Sequence, residues 1–149
     1  MKEKVVIIGL GYVGLPLACL SAKKGFQTTG LDISRKIVDL TNAGKSHIQD
    51  KELEAAVKAV KGKLKATTDS SVIKNADFVV ICVPTPVDEN HLPDLKPLES
   101  ACRSVAANIS KGQTIIVEST IYPGTIEEIV KPILESSGLK AEKDFYLAH

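Results

Sequence analysis

Short apolar runs alternate with stretches of helical periodicity along the whole chain. The apolar runs, several of them rich in β-branched residues, predict strands at 5–8, 26–31, 64–67, 77–83, 114–117 and 145–147. Apolar positions three and four residues apart predict helices at 12–24, 34–44, 50–61, 97–109 and 125–136. Strands that alternate with helices are typical of a parallel sheet with crossover helices. The pattern therefore predicts a Rossmann-type, doubly wound α/β fold with a mostly parallel six-stranded sheet.

Prolines interrupt this pattern at two places. Pro84, Pro86 and Pro93 follow the fourth predicted strand, where they forbid regular pairing and predict an irregular path through residues 88–91. Pro132 lies inside the last predicted helix, which it should kink unless it starts a new turn. The 149 residues fit one domain, and no internal repeat or low-complexity tract divides them.

The charged residues nearly balance, with 19 Lys and Arg against 18 Asp and Glu. Such a chain has no long-range field to attract nucleic acid or an anionic membrane, so neither is expected as a partner. No apolar run is long enough to span a bilayer, and the N-terminus lacks the features of a secretory signal. We therefore expect a cytoplasmic protein that binds a small polar or nucleotide ligand.

The cysteines and histidines give no sign of a metal site. Cys19, Cys82 and Cys102 are odd in number, far apart and free of CxxC spacing, which argues against disulfides and against zinc. Apolar neighbours indicate that Cys19 and Cys82 are buried structural thiols, and the neighbours of Cys102 give no sign of a nucleophile. His47 and His91 are expected at the surface rather than as general bases.

A glycine-rich segment follows the first predicted strand and opens a helix. Residues 9–14 read Gly-Leu-Gly-Tyr-Val-Gly, which matches GxGxxG. In this context Gly9 allows a tight turn, Gly11 lets the backbone approach a pyrophosphate, and Gly14 lets the helix pack closely on the strand. The helix N-terminus then offers free N–H groups and a partial positive charge to the phosphates. The alternative is a glycine-rich turn that binds nothing.

Asp32 ends the second predicted strand, at the position expected for a carboxylate that binds an adenosine ribose, roughly 20 residues beyond the glycines. A carboxylate would repel a 2′-phosphate, so the residues predict NAD rather than NADP as the cofactor. The alternative role for Asp32 is that of a helix N-cap. Arg35 and Lys36 lie close by in sequence and would favour a phosphate, which opposes the NAD assignment.

Two later segments place polar groups at the carboxyl ends of strands, where a doubly wound sheet binds its ligands. Val-Pro-Thr-Pro follows the fourth strand at 83–86, and Glu-Ser-Thr-Ile-Tyr-Pro-Gly-Thr follows the fifth at 118–125. The alternative interpretation is a proline-rich turn and an ordinary Ser/Thr helix cap.

Taken together, GLGYVGLPLA at 9–18, the Asp32 segment, CVPTPV at 82–87 and ESTIYPGTIEEIVKPILE at 118–135 resemble the UDP-glucose/GDP-mannose dehydrogenase family. The match covers nearly the whole chain. The Tyr-Pro-Gly form of the last segment is most similar to members that act on UDP-N-acetylglucosamine or UDP-N-acetylmannosamine.

The resemblance implies roles for individual residues. By this resemblance the glycine-rich turn would bind the pyrophosphate, and Asp32 and Lys36 would bind the adenosine end. The loops after strands four and five would bind the nicotinamide. Thr120 would also lie near the catalytic water, which makes it the one catalytic candidate. The cofactor-binding candidates are Gly9, Gly11, Tyr12, Val13, Gly14, Asp32, Lys36, Val83, Pro84, Thr85, Ser119 and Thr120.

The resemblance also implies a reaction. Members oxidise a sugar C6 alcohol to a carboxylate by two hydride transfers to NAD, through a thioester on an active-site cysteine. Residues 1–149 would be the NAD-binding domain, and the central helical domain and the nucleotide-sugar-binding domain with that cysteine would lie beyond residue 149. The chain alone is therefore expected to be inactive. The full-length enzyme is expected to be a homo-oligomer that uses a UDP-sugar in polysaccharide biosynthesis.

Two other functions remain open from the sequence. One is the NAD-binding domain of another dehydrogenase, of the hydroxyacid or hydroxyacyl-CoA type, although the segment at 119–125 argues against it. The other is a regulatory module that binds NAD without catalysis.

Overall fold

The computed structural model describes residues 2–87 and 93–149. Its strands are β1 (Lys4–Ile8), β2 (Gln27–Leu31), β3 (Lys65–Thr67), β4 (Phe78–Ile81), β5 (Thr114–Val117) and β6 (Tyr146–Ala148). Its α-helices are α1 (Gly14–Lys24), α2 (Arg35–Asn42), α3 (Lys51–Ala59), α4 (Lys96–Ala106) and α5 (Lys131–Glu135). A 3₁₀ helix at Ser70–Asn75 and a π-helical turn at Ile126–Val130 complete the regular structure of these residues. The predicted irregular path at 88–91, with His91, lies outside the described residues.

The described strands form one six-stranded sheet in the order β3-β2-β1-β4-β5-β6, and every pairing in it is parallel. This is the strand order of the Rossmann fold, so the predicted fold class is confirmed. The order reverses between β1 and β4. The strands β2 and β3 are added on one side of β1, and β4, β5 and β6 are added on the other side. Such a switch point opens a crevice at the carboxyl edge of the sheet.

Alternate residues of each strand face opposite sides, and both sides are buried. Val6 and Ile8 of β1 pack into a core that includes residues of α4 and α5. Val5 and Ile7 pack into a second core with residues of α1 and α3. A parallel sheet covered by helices on both faces accounts for the apolar runs that predicted the strands.

Side chains cap two of the helices. The Ser34 hydroxyl accepts a hydrogen bond from the N–H of Ile37, and the Asp50 carboxylate accepts one from the N–H of Leu53. Each such cap contributes about 1 kcal/mol. Gly25 ends α1 in the left-handed region, with φ at 99°. The first helix begins at Gly14, later than predicted, because the residues before it form the glycine-rich turn.

Three elements differ from the sequence prediction. The fourth strand covers only Phe78–Ile81 of the predicted 77–83, although the N–H groups of Asp77 and Cys82 still donate to the carbonyls of Lys4 and Ile8 in β1. The 3₁₀ helix was not predicted. The last helix is divided, and Pro132 lies in the first turn of α5, where its missing N–H removes no helical hydrogen bond. Of the two predicted outcomes for Pro132, it is therefore the new turn that the structure shows.

His47 is half-buried. Its Nδ1 atom is buried and has no hydrogen-bond partner among the described residues. Within the described ranges, no helix is long and apolar enough to cross a membrane.

All three cysteines are buried, as predicted for Cys19 and Cys82. Burial raises the pKa of Cys82 to about 11, with a further contribution from the charge of Glu118. Burial also raises the pKa of Cys102 to about 12, assisted by Glu99, and it raises the pKa of Cys19. Thiolate is the nucleophilic form, so these thiols are inert at neutral pH.

We expect iodoacetamide to alkylate the three cysteines of the native chain slowly at pH 7, and to alkylate all of them quickly in guanidinium. The rate on the native chain should rise with pH toward the pKa of about 11 at Cys82 and about 12 at Cys102, because the thiolate fraction grows. Mass spectrometry of the modified chain measures both rates. A cysteine that reacts at pH 7 as fast in the native chain as in the unfolded chain would contradict this burial.

Candidate functional site

The carboxyl ends of the central strands lie at one edge of the sheet. Ile8 of β1 pairs with Leu31 of β2 on one side and with Ile81 of β4 on the other, and Ile81 pairs with Val117 of β5. These four residues end their strands. The loops that carry the predicted site residues therefore begin side by side.

Two glycines of the glycine-rich turn are required by packing. Gly9 has φ at 88°, and a Cβ there would lie 2.8 Å from the carbonyl oxygen of Cys82. A Cβ on Gly14 would overlap the carbonyl oxygen of Gly9 and lie 3.1 Å from the Cβ of Cys82. A side chain at either position would force the turn away from β4.

Gly11 differs from its neighbours because a Cβ there would meet nothing within 4 Å. The described part of the protein therefore gives no steric reason for glycine at this position. An open approach to the backbone is what a bulky group lying against the turn needs. The surface at Gly11 fits a pyrophosphate.

The N-terminus of α1 is suited to an anion. The residue before the helix is Val13, which provides no side-chain cap, and the first turn holds no acidic residue. Free N–H groups and the positive end of the helix dipole are therefore not neutralised by the helix itself. Tyr12 and Val13 beside it are 83% and 56% exposed.

Asp32 ties the end of β2 to the glycine-rich turn. Its Oδ2 accepts from the N–H of Leu10 at 2.8 Å, and its Oδ1 accepts from the N–H of Ser34 at 2.8 Å. Ser34, not Asp32, provides the N-cap of α2. A carboxylate has about four acceptor positions, so two backbone bonds leave room for the hydroxyls of a ribose.

The cations near Asp32 lie on the exposed face of α2. Arg35 pairs with Asp39 at 3.2 Å one turn along the helix, and both side chains are mostly exposed. Surface pairs of this kind contribute about 0.3–0.5 kcal/mol and hold a side chain only loosely. Lys36 is also exposed, and nothing in the structure brings it to Asp32.

Hydroxyl groups connect the loops after β4 and β5. The Ser119 hydroxyl donates to the carbonyl of Val83 at 2.7 Å, and the Thr85 hydroxyl donates to the carbonyl of Thr120 at 2.7 Å. Ser119 is 5% exposed, whereas the side chain of Thr120 is exposed. The structure thus brings together four of the predicted site residues, and Pro84 lies between two of them.

Leu10 and Gly30 belong to this site but were not singled out from the sequence. Leu10 provides the N–H that Asp32 accepts, and its side chain is fully buried. A Cβ on Gly30 would lie 2.7 Å from that side chain. An isolated glycine inside a strand indicates that another segment approaches the backbone closely. Gly30 could have been identified from the sequence on this ground.

The carboxyl edge is an open surface. A groove of about 560 Å³ between α1 and α3 includes Tyr12, and a second of about 440 Å³ beside the β5 loop includes Tyr122. Neither groove is lined by Asp32 or Thr120. In the described part of the chain, no group of three or more His, Cys, Asp or Glu side chains is placed to hold a metal ion.

Comparison with known proteins gives consistent relatives. UDP-N-acetyl-D-mannosamine dehydrogenase of Pyrococcus horikoshii is 38% identical over 148 residues, which are 98% of this chain and 35% of that protein. UDP-N-acetyl-D-glucosamine 6-dehydrogenase of Salmonella typhi is 39% identical over 99% of this chain and 34% of its own length. The chain thus spans about a third of the length of these curated relatives.

A solved structure shows the same fold. A ternary complex of GDP-mannose dehydrogenase from Pseudomonas aeruginosa superposes with a TM-score of 0.92 at 37% identity, over 96% of this chain and 34% of that one. The family model described as the NAD-binding domain of the UDP-glucose/GDP-mannose dehydrogenase family matches residues 3–149. The chain therefore belongs to the UDP-glucose/GDP-mannose dehydrogenase family, of which it forms the NAD-binding domain.

Proposed function

We propose that this chain binds NAD across the carboxyl edge of its sheet for an enzyme that oxidises the C6 alcohol of a UDP-N-acetylhexosamine to a carboxylate. The observation that carries the binding site is the open space at Gly11 beside the uncapped N-terminus of α1. The substrate rests on the similarity to dehydrogenases of UDP-N-acetyl-D-mannosamine and UDP-N-acetyl-D-glucosamine.

Different residues bind the different parts of the dinucleotide. Backbone groups of the turn from Gly9 to Gly14, with Tyr12 and Val13, hold the pyrophosphate at the start of α1. Asp32 accepts from the adenosine ribose, with Lys36 at the same end. The nicotinamide half then lies over the β4 and β5 loops, because a doubly wound sheet binds one mononucleotide on each side of its switch point. The loop residues in this proposal are Val83, Pro84, Thr85, Ser119 and Thr120.

Bound NAD supplies the acceptor for the hydride that leaves the alcohol carbon. The chain's own part is to hold the cofactor in position and to orient water. Thr120 is our catalytic candidate, because its exposed hydroxyl stands at the end of β5 while Thr85 fixes its carbonyl. Such a hydroxyl can hydrogen-bond the water that hydrolyses the thioester after the second oxidation.

Oxidation to a carboxylate also needs a nucleophile that traps the aldehyde. Cys19, Cys82 and Cys102 do not fit this role, because all three are buried and burial raises their pKa values. We therefore place the nucleophile in a further part of the protein, together with a helical domain and a nucleotide-sugar-binding domain. We also propose that the full-length protein is a cytoplasmic homo-oligomer that acts in polysaccharide biosynthesis. Reading the open reading frame past residue 149 tests this directly, since a stop codon there would favour a regulatory NAD-binding module.

We expect the chain to bind NADH at least about tenfold more tightly than NADPH, a difference of about 1.4 kcal/mol. The reason is that Asp32 faces the ribose position, where a 2′-phosphate would bring a second negative charge. Calorimetric titration with each cofactor measures the ratio. Arg35→Ala is the control and should preserve it, because the Arg35 side chain pairs with Asp39 on the exposed face of α2. Equal affinities, or a preference for NADPH, would instead assign the selectivity to Arg35 and Lys36.

Gly11→Val should abolish NADH binding and leave the melting temperature within a few degrees of the parent value. Its side chain would occupy open space in the free protein and the pyrophosphate position in the complex. Gly14→Val is the control with the opposite outcome, because its side chain overlaps the Gly9 carbonyl and should unfold the chain. Thermal unfolding and calorimetry report the two effects separately. Retained binding in a folded Gly11→Val chain would move the phosphates elsewhere.

The 149-residue chain should form no NADH when incubated with NAD and UDP-N-acetylglucosamine, UDP-N-acetylmannosamine or UDP-glucose. It provides a cofactor site, but its thiols are buried and protonated at neutral pH. NADH absorbance follows the reaction, and the protein encoded by the complete reading frame is the positive control. Sustained NADH formation by the chain, abolished by replacing one cysteine with serine, would refute this division of roles.

A further inference from the structure

The loops after β4 and β5 cannot continue the backbone pairing of their strands. The last rung is the hydrogen bond from the Glu118 N–H to the Ile81 carbonyl, at 2.9 Å. Beyond it the β4 loop contains Pro84 and Pro86, which have no N–H to donate. Among the described residues no backbone hydrogen bond joins the two loops beyond this rung, and the connections between them come from side chains.

Two hydroxyl groups supply that connection in opposite directions. Ser119 of the β5 loop donates to Val83 of the β4 loop, and Thr85 of the β4 loop donates to Thr120 of the β5 loop, each at 2.7 Å. We call this reciprocal pair of bonds the hydroxyl clasp. The residues it joins are 36 and 35 positions apart in sequence, so it fixes the loops to one another rather than each loop to itself.

We propose that Ser119 and Thr85 are positioning residues, whose hydroxyl clasp holds the β4 and β5 loops as one preformed platform for the nicotinamide ring. This inference rests on the proposed function, in which NAD spans the carboxyl edge. Ser119 is 5% exposed, so its side chain acts through the loop rather than by touching the cofactor.

The position of the clasp follows from the other half of the site. Asp32 fixes the adenosine side at the end of β2, and the phosphates lie at the glycine-rich turn over β1. A Cβ on Gly9 would lie 3.3 Å from the backbone nitrogen of Val83, so the clasp adjoins that turn on the β4 side. In the proposed site the nicotinamide half of the dinucleotide therefore lies toward the ends of β4 and β5.

The clasp also determines which hydroxyls remain available. The protons of Ser119 and Thr85 are engaged with backbone carbonyls, and Ser119 is out of reach of solvent. The exposed side chain of Thr120 is carried by a backbone whose carbonyl is held by Thr85. A platform already in its bound shape loses less entropy when the ring docks on it.

Calorimetric titration with NADH and with ADP-ribose, which lacks the nicotinamide ring, tests the proposal. The parent chain should bind NADH more tightly than ADP-ribose. Ser119→Ala should weaken NADH binding about three- to tenfold, the usual effect of one hydrogen bond, and change ADP-ribose binding less than twofold. Thr85→Val should do the same, whereas Thr85→Ser, which keeps the hydroxyl, should restore the parent ratio.

Ser137→Ala is the matched control, because the Ser137 hydroxyl also donates to a carbonyl at 2.7 Å but at the end of α5. It should leave the ratio unchanged. Equal losses for both ligands in Ser119→Ala, or an unchanged ratio, would overturn the positioning role. A parent chain that binds NADH and ADP-ribose equally tightly would also overturn the positioning role. Failure of the parent chain to bind either ligand would overturn the proposed NAD site itself.

Discussion

The pairing of β1 with β2 on one side and β4 on the other is the constraint on which the site depends. Ile8 sits in register with both Leu31 and Ile81, so three loops leave the sheet at one level. Central residues such as Ile7 and Val79 are 1% and 0% exposed, and each buried side chain of this size contributes about 1.5–3 kcal/mol. The burial that stabilises the sheet is therefore also what aligns the site.

The glycine-rich turn serves two purposes that the structure separates. Gly9 and Gly14 allow the turn and α1 to pack against β4, and they would be needed in this fold without any ligand. Packing of the described protein does not require glycine at position 11. The same six residues thus meet a requirement of packing and a requirement of binding. The binding requirement is recognised by the open space at Gly11.

The sequence predicted the fold class and the candidate residues, because these depend on local periodicity and turn chemistry. It did not predict that β4 ends at Ile81 or that Ser119 bonds to the loop after β4. The partner of the Ser119 hydroxyl lies 36 residues away and could not be found from spacing. Long-range hydrogen bonds of single hydroxyls leave no repeating pattern in a sequence.

The two backbone bonds of Asp32 have a consequence for redesign of cofactor preference. Exchanging this carboxylate for a small neutral side chain is the obvious way to admit a phosphorylated ribose. The same exchange would remove the acceptors from the amides of Leu10 and Ser34 and leave the glycine-rich turn bonded to β2 through the Gly9 N–H and the Leu31 carbonyl. An engineered switch of coenzyme would therefore have to provide these two amides with a new acceptor, or accept a looser grip on the shared pyrophosphate.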